Sequence, residues 1–192
     1  MKLDELFEEL NLPKEKESKM IQLEKLKEFE YEMAVNVGMR RHVSSVYKND
    51  RDVAGYNSDS DDAYKDAVEA APAELAVAKY YGIYWDGSYN TYGIPDLLDG
   101  TIDVKRCRAN VHLIVRPKDE KKPDCALIAV TGSKGSYVIH GWQMRSWIIQ
   151  NVQPSYSGLD KSRPPARITS ELRSARELND FVLEHLRKKY SK

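Results

Sequence analysis

Helical and extended patterns of apolar residues alternate along this chain. Apolar side chains spaced three and four residues apart predict helices at 2–10, about 14–47, 72–81 and about 168–189. Gly38 marks a point where the long second helix would break. Pro72 suits the first turn of the third helix, and Gly82 suits the position just past its end. A short helix is also indicated at 143–150.

The period of the pattern changes to two in the middle of the chain. Extended segments separated by turn residues predict strands at 93–98, 101–107, 111–116, 125–131 and 136–142. Residues 48–62 are polar and predict an exposed loop, and a Pro/Ser-rich link follows at 153–165. The order of elements predicts an α/β fold with a mixed central β-sheet flanked by helices, with extra N-terminal and C-terminal helices.

Composition narrows the class of protein. The chain has 192 residues, of which 41% are apolar and 31% charged, so it can bury a core. We expect one compact domain made of a helical arm and loop (1–62), a core (63–152), and a linker with a final helix (153–192). No apolar run is long enough to cross a bilayer, and the acidic N-terminus is unlike a signal peptide, so a cytoplasmic protein is expected. Two cysteines are too few for a disulfide scaffold or a zinc site.

The zero net charge hides an uneven distribution. Residues 1–100 carry 12 Lys+Arg and 21 Asp+Glu, and residues 101–192 carry 18 and 9, which gives net charges of −9 and +9. Such a chain often presents a basic face to a polyanion. Folding could equally mix the charges in space, and the sequence leaves both outcomes open.

The stretch from Gly93 to Lys105 carries the candidate chemistry. Asp99-Gly100 between two apolar runs is a strong hairpin signal. In the predicted register Leu97 pairs with Ile102 and Asp96 with Asp103, so the two carboxylates face each other about 5 Å apart between Cβ atoms. A divalent cation such as Mg²⁺ or Mn²⁺ would compensate their repulsion, and Lys105 on the same face would reach an anion held there. The alternative is a solvent-facing hairpin with unpaired surface acids.

Glu74 adds a third carboxylate from the preceding helix. Val77, Ala78 and Tyr81 are its neighbours at helical spacing, so Glu74 lies on an apolar face, where a carboxylate needs a partner. Its place in the first turn of the predicted helix would also be explained by the helix dipole. The sequence does not choose between these explanations.

Three elements follow one another along the chain: Glu74, Pro95-Asp96 and Asp103-Val104-Lys105. Their order resembles the motif of the PD-(D/E)XK nuclease superfamily, and the resemblance covers residues 70–142. The phrases around Glu74 and around residues 137–142 look like those of small phage-encoded members. The resemblance implies a restriction-endonuclease-like fold and a metal-dependent nuclease that hydrolyses nucleic-acid phosphodiester bonds, most often those of DNA, with RNA not excluded.

The resemblance also implies roles for individual residues. Asp96 and Asp103 would hold Mg²⁺, with Mn²⁺ as a substitute, the Val104 carbonyl would be a further ligand, and Glu74 would complete the shell directly or through water. Lys105 would position the attacking water or, with a lowered pKa, deprotonate it. Two departures are an Asp rather than a Glu before Lys105, and a short gap between the two aspartates.

Other residues supply weaker leads. Arg106 and Arg108 follow the site and would contact a phosphate backbone, and Gln143 would be a polar helper just past the last strand. A homodimer and a phage or host protein bound to the N-terminal helices are expected partners, and the host cytoplasm is the expected compartment of a phage-encoded protein. Competing hypotheses are a catalytically silent accessory factor of the same fold and a phosphohydrolase acting on nucleotides.

Overall fold

A computed structural model describes residues 20–47, 61–88, 95–108, 110–156 and 164–190. The helices in these ranges are α1 (Glu28–Tyr47), α2 (Asp61–Tyr80), α3 (Arg145–Asn151) and α4 (Ala175–Tyr190). The strands are β1 (Ile21–Gln22), β2 (Ile102–Arg106), β3 (Leu113–Val115), β4 (Ala126–Ser133), β5 (Ser136–Met144) and β6 (Arg167–Thr169). The predicted helix at 2–10 lies outside the described residues, as does the predicted loop up to residue 60.

The central sheet is mixed and has the strand order β1-β5-β4-β2. Strands β2 and β4 run parallel, whereas β4 pairs with β5, and β5 with β1, in antiparallel fashion. Strands β3 and β6 form a separate antiparallel pair. The predicted α/β fold with a mixed sheet flanked by helices, including a C-terminal helix, is therefore confirmed at this level.

Two apolar clusters cover the two faces of the sheet. On one face α2 and α4 pack against side chains such as Ile102, Ile128 and Trp142. On the other face Ile148 of α3 and Leu113 of β3 join Leu127. Because side chains alternate along a strand, Asp103 and Lys105 project on the Leu127 face and Val104 and Arg106 on the α2 face.

The long predicted helix at 14–47 is wrong in its start and in its break. Helix α1 begins at Glu28, because Ile21 and Gln22 pair with β5 instead. Gly38 does not interrupt it. A Cβ atom at Gly38 would lie 2.6 Å from the carbonyl oxygen of Ala67, so the glycine lets α1 cross α2 at close range.

Helices α2 and α4 also differ from their predicted bounds. Helix α2 begins at Asp61, and Pro72 lies inside it rather than in its first turn. An internal proline costs about 3 kcal/mol, which the burial of neighbouring side chains such as Ala71, Ala73 and Val77 offsets. Ile168, predicted as the start of the last helix, belongs to β6 and pairs with Ile114. Among the described helices, none combines the length and apolarity that crossing a membrane requires.

Candidate active site

The turn before β2 has the predicted register. Leu97 and Ile102 form an antiparallel bridge, with N–H to carbonyl distances of 3.0 and 3.2 Å. Leu98, Asp99 and Gly100 between them have φ angles of 52°, 53° and 84°, which reverse the chain. The predicted first strand at 93–98 is reduced to this bridge within residues 95–98, and residues 93 and 94 lie outside the described part.

The turn brings the carboxyl groups of Asp96 and Asp103 together. Asp96 Oδ2 accepts a 2.8 Å hydrogen bond from the backbone N–H of Val104, and the two side chains are hydrogen-bonded to each other. Burial, and then the charges of Glu74 and Asp103, raise the pKa of Asp96 well above its ordinary value. Of the two carboxyls, Asp96 is therefore the one that keeps its proton to the higher pH.

Asp103 is the charged member of this pair. It is buried, which by itself would raise its pKa, but Lys105 and the hydrogen bonds to its oxygens outweigh burial and lower the pKa. Lys105 Nζ lies 2.8 Å from Asp103 Oδ1. Burial opposes the charge of Lys105, yet Asp103 and Asp96 raise its pKa above the ordinary value. Lys105 is thus a cation here, and of the two roles that the sequence left open for it, the one that needs a lowered pKa is disfavoured because two acids face it.

Arg145 completes the surroundings of Asp103, and the sequence reasoning missed it. It is the first residue of α3 and is only 3% exposed. Its Nη2 donates to Asp103 Oδ2 at 3.1 Å, and its Nη1 donates to the Pro123 carbonyl. A cation in the first turn of a helix opposes the helix dipole. That unfavourable position was the available signal that Arg145 has a buried acidic partner.

Glu74 lies on the inner side of α2, as predicted. It is 4% exposed and, because α2 begins at Asp61, it is not in the first turn, so the helix dipole does not explain it. Its Oε1 is 2.5 Å from Arg41 Nη1, and its Oε2 accepts a 3.2 Å hydrogen bond from Trp85 Nε1. The charge of Glu74 acts on Asp96, but its hydrogen-bond partners are Arg41 and Trp85.

The donor atoms fit a hard divalent cation in part. Two carboxyl groups in hydrogen-bond contact offer the oxygen ligands that Mg²⁺ prefers. Glu74, the third acid, is turned to Arg41. Accordingly, within the described ranges no group of three His, Cys, Asp or Glu residues is arranged to hold a metal ion.

The remaining candidate residues lie around this cluster. Arg106 and Arg108 both pair with Asp66 of α2, at 2.9 and 2.7 Å. Arg106 thus projects on the sheet face opposite Asp103. Gln143 is buried. It lies in β5 opposite Leu127 of β4, which in turn lies opposite Asp103 of β2, so Gln143 and Asp103 are on the same face of the sheet. Contacts of these three residues with nucleic acid stay predictions.

A second gap in the sequence reasoning is Arg41. Arg41 lies in α1, far in sequence from Glu74 and Asp96, and no local pattern connects it to either acid. The charges of both acids act on its guanidinium. Gly38, one turn earlier, marks the face of α1 that lies close to α2, and this crossing brings Arg41 to Glu74.

Comparisons with known proteins add no assignment. No protein-family model, curated protein or solved structure matches this chain.

Proposed function

We propose that this protein is a Mg²⁺-dependent nuclease that hydrolyses phosphodiester bonds of DNA, with a restriction-endonuclease-like core. The observation that supports the proposal is the convergence of Asp96, Asp103 and Lys105 on β2 and the turn that precedes it. The two carboxyls are hydrogen-bonded, and Lys105 lies 2.8 Å from Asp103. Metal-dependent hydrolysis of a phosphodiester uses hard oxygen ligands to hold the metal and cations to stabilise the charge on the phosphate oxygens.

Asp96 and Asp103 would hold the cation, with the Val104 carbonyl as a further ligand and Glu74 joining directly or through water. The bound Mg²⁺ would supply Lewis-acid stabilisation and an activated nucleophile. For Asp96, ligation requires loss of its proton. Arg145 keeps the Asp103 carboxylate in a fixed orientation by donating to Oδ2.

Lys105 acts in this proposal as a cation and a hydrogen-bond donor. Its side chain is 42% exposed, and its ammonium group contacts Asp103. From that position it would orient the attacking water and stabilise charge on the phosphate oxygens. Its raised pKa keeps it protonated through the neutral range, which suits this role rather than that of a base.

A substrate panel tests the activity. Single-stranded, duplex and branched DNA and RNA are incubated with the protein in Mg²⁺ and in EDTA. We expect cleavage of DNA in Mg²⁺, none in EDTA, and none by the Asp103→Asn variant. Cleavage that persists in the Asp103→Asn variant would assign the activity to another site or to a contaminant. The absence of any cleaved substrate would contradict the proposal.

One observation favours the second candidate, a silent accessory factor on the same fold. Glu74 and Asp103 are already paired with Arg41, Lys105 and Arg145. Calorimetry with Mn²⁺ in the presence of duplex DNA separates the two candidates. A nuclease binds the ion and loses that binding in the Asp103→Asn variant, whereas a silent factor shows no such site.

A further inference from the structure

Arg41 connects α1 to the acid cluster. Its Nη1 lies 2.5 Å from Glu74 Oε1, and its Nε donates a 2.9 Å hydrogen bond to the Ser88 carbonyl. Burial opposes its charge, but the carboxylates of Glu74 and Asp96 outweigh burial and raise the pKa of Arg41. The guanidinium is therefore within the field of the acids assigned to the cation site.

Arg41 is more accessible than the acid that it binds. Its side chain is 22% exposed, against 5% for Glu74. The Arg41 side chain therefore borders solvent at a place where the Glu74 carboxylate is covered. Guanidinium groups bind carboxylates and phosphates with the same fork of donors, so a phosphate oxygen can compete with a carboxylate oxygen for the same N–H groups.

We propose that Arg41 is a phosphate-binding residue of this site, and that it exchanges the Glu74 carboxylate for a phosphate oxygen of the nucleic acid. The exchange releases Glu74, which then completes the set of acids around the cation. It accounts for the arrangement in which Glu74 faces Arg41 and, among the residues that the structure describes, no third acid joins Asp96 and Asp103. The inference rests on the proposed function, because it takes a phosphodiester as the ligand.

The competing explanation is that Arg41 only fastens α1 to α2. The phosphate-binding explanation and this structural explanation predict different effects of Glu74 on nucleic-acid binding. If Arg41 is shared between Glu74 and phosphate, Glu74 competes with the nucleic acid. Removing its charge then strengthens binding, and it does so only when Arg41 is present.

The test is fluorescence anisotropy of a short labelled duplex DNA in EDTA, so that neither metal nor cleavage enters. We expect Glu74→Gln to tighten binding about threefold to tenfold, the range that corresponds to the net contribution of one ordinary hydrogen bond. Arg41→Gln should weaken binding by about tenfold and reduce the slope of log affinity against log salt by about 0.9, the loss of one phosphate contact. Arg40→Gln, at the neighbouring exposed position, is the matched control and should stay close to the parent.

The double variant Glu74→Gln/Arg41→Gln decides the question. Its two amides can hydrogen-bond to each other, and its thermal unfolding reports whether the pair still holds the helices together. We expect it to bind DNA like Arg41→Gln alone. A gain from Glu74→Gln that persists without Arg41 would overturn the proposal, since simple relief of repulsion would explain it. Equal affinities of Arg41→Gln and Arg40→Gln, or no binding of DNA by the parent protein, would overturn it as well.

Failure of this inference is distinguishable from failure of the nuclease proposal. The anisotropy measurements require no turnover. If the variants bind DNA as expected but the parent protein cleaves nothing in Mg²⁺, the phosphate-binding role of Arg41 stands and the nuclease proposal fails. Conversely, if the parent protein cleaves DNA in Mg²⁺ but the variants do not bind DNA as expected, the nuclease proposal stands and Arg41 has no part in substrate binding.

Discussion

Replacing Arg145 by Met tests the electrostatics of the candidate site without reference to activity. The guanidinium is 3% exposed and donates to Asp103 and to the Pro123 carbonyl. Methionine fills a similar volume but leaves the buried Asp103 carboxylate with Lys105 as its remaining cation. The Pro123 carbonyl also loses its donor.

The expected loss of stability follows from these contacts. Breaking a buried ion pair on one side costs about 3–5 kcal/mol, because the other charge remains buried. Lys105 stays 2.8 Å from Asp103, but its side chain is 42% exposed and its charge is partly screened. We therefore expect a loss of about 3 kcal/mol, the lower end of the range. For a chain of this size that lowers the melting temperature by about 6–12 °C.

Urea unfolding followed by tryptophan fluorescence measures the effect. Asp103→Asn in the Arg145→Met background removes the carboxylate that has lost one of its two cations, so the double variant should regain about 2 kcal/mol relative to the sum of the single variants. Lys188→Met, which removes an exposed pair with Glu184 on α4, is the control and should leave stability unchanged. Strictly additive losses for Arg145 and Asp103 would refute the inferred contact between the two side chains.

Three further predictions concern other contacts of the site and its support. Gly38→Ala should destabilise the protein by about 1–3 kcal/mol in thermal unfolding, since its Cβ would lie 2.6 Å from Ala67 O; an unchanged melting temperature would contradict the close crossing of α1 and α2. Asp96 has a raised pKa in the folded state, so its contribution to stability is lost as pH rises through that value. The stability of Asp96→Asn relative to the parent should accordingly increase from pH 5 to pH 8, and a constant difference would show that Asp96 titrates normally. Trp85→Phe removes the 3.2 Å hydrogen bond to Glu74 and should cost about 1–3 kcal/mol in urea unfolding, whereas no cost would mean that Glu74 does not need that donor.

The local features of the site could be predicted from the sequence because short-range chemistry determines them. The Asp-Gly turn and the alternation of side chains in β2 led correctly to the Leu97–Ile102 pair. The apolar neighbours of Glu74 led correctly to its inner position on α2. Neither inference requires knowledge of any contact distant in sequence.

The parts that escaped prediction depend on packing between distant segments. Pro72 reads locally as a helix start, but the burial of α2 stabilises the helix on both sides of it. Ile168 fits a helical pattern, yet pairing with β3 draws it into a strand. Arg41 and Arg145 reach the acids from α1 and α3, so their roles become visible only when the elements are assembled.

The most direct test of the central claim is the single-turnover rate of DNA cleavage in Mg²⁺ by the parent protein and by the Lys105→Ala variant. Lys188→Ala serves as the matched lysine control. The account predicts that Lys105→Ala folds and binds DNA but cleaves it at least about 100-fold more slowly, the usual effect of removing one group that stabilises the transition state. Equal rates for Lys105→Ala and the parent would contradict the assignment of Asp96, Asp103 and Lys105 as a catalytic site.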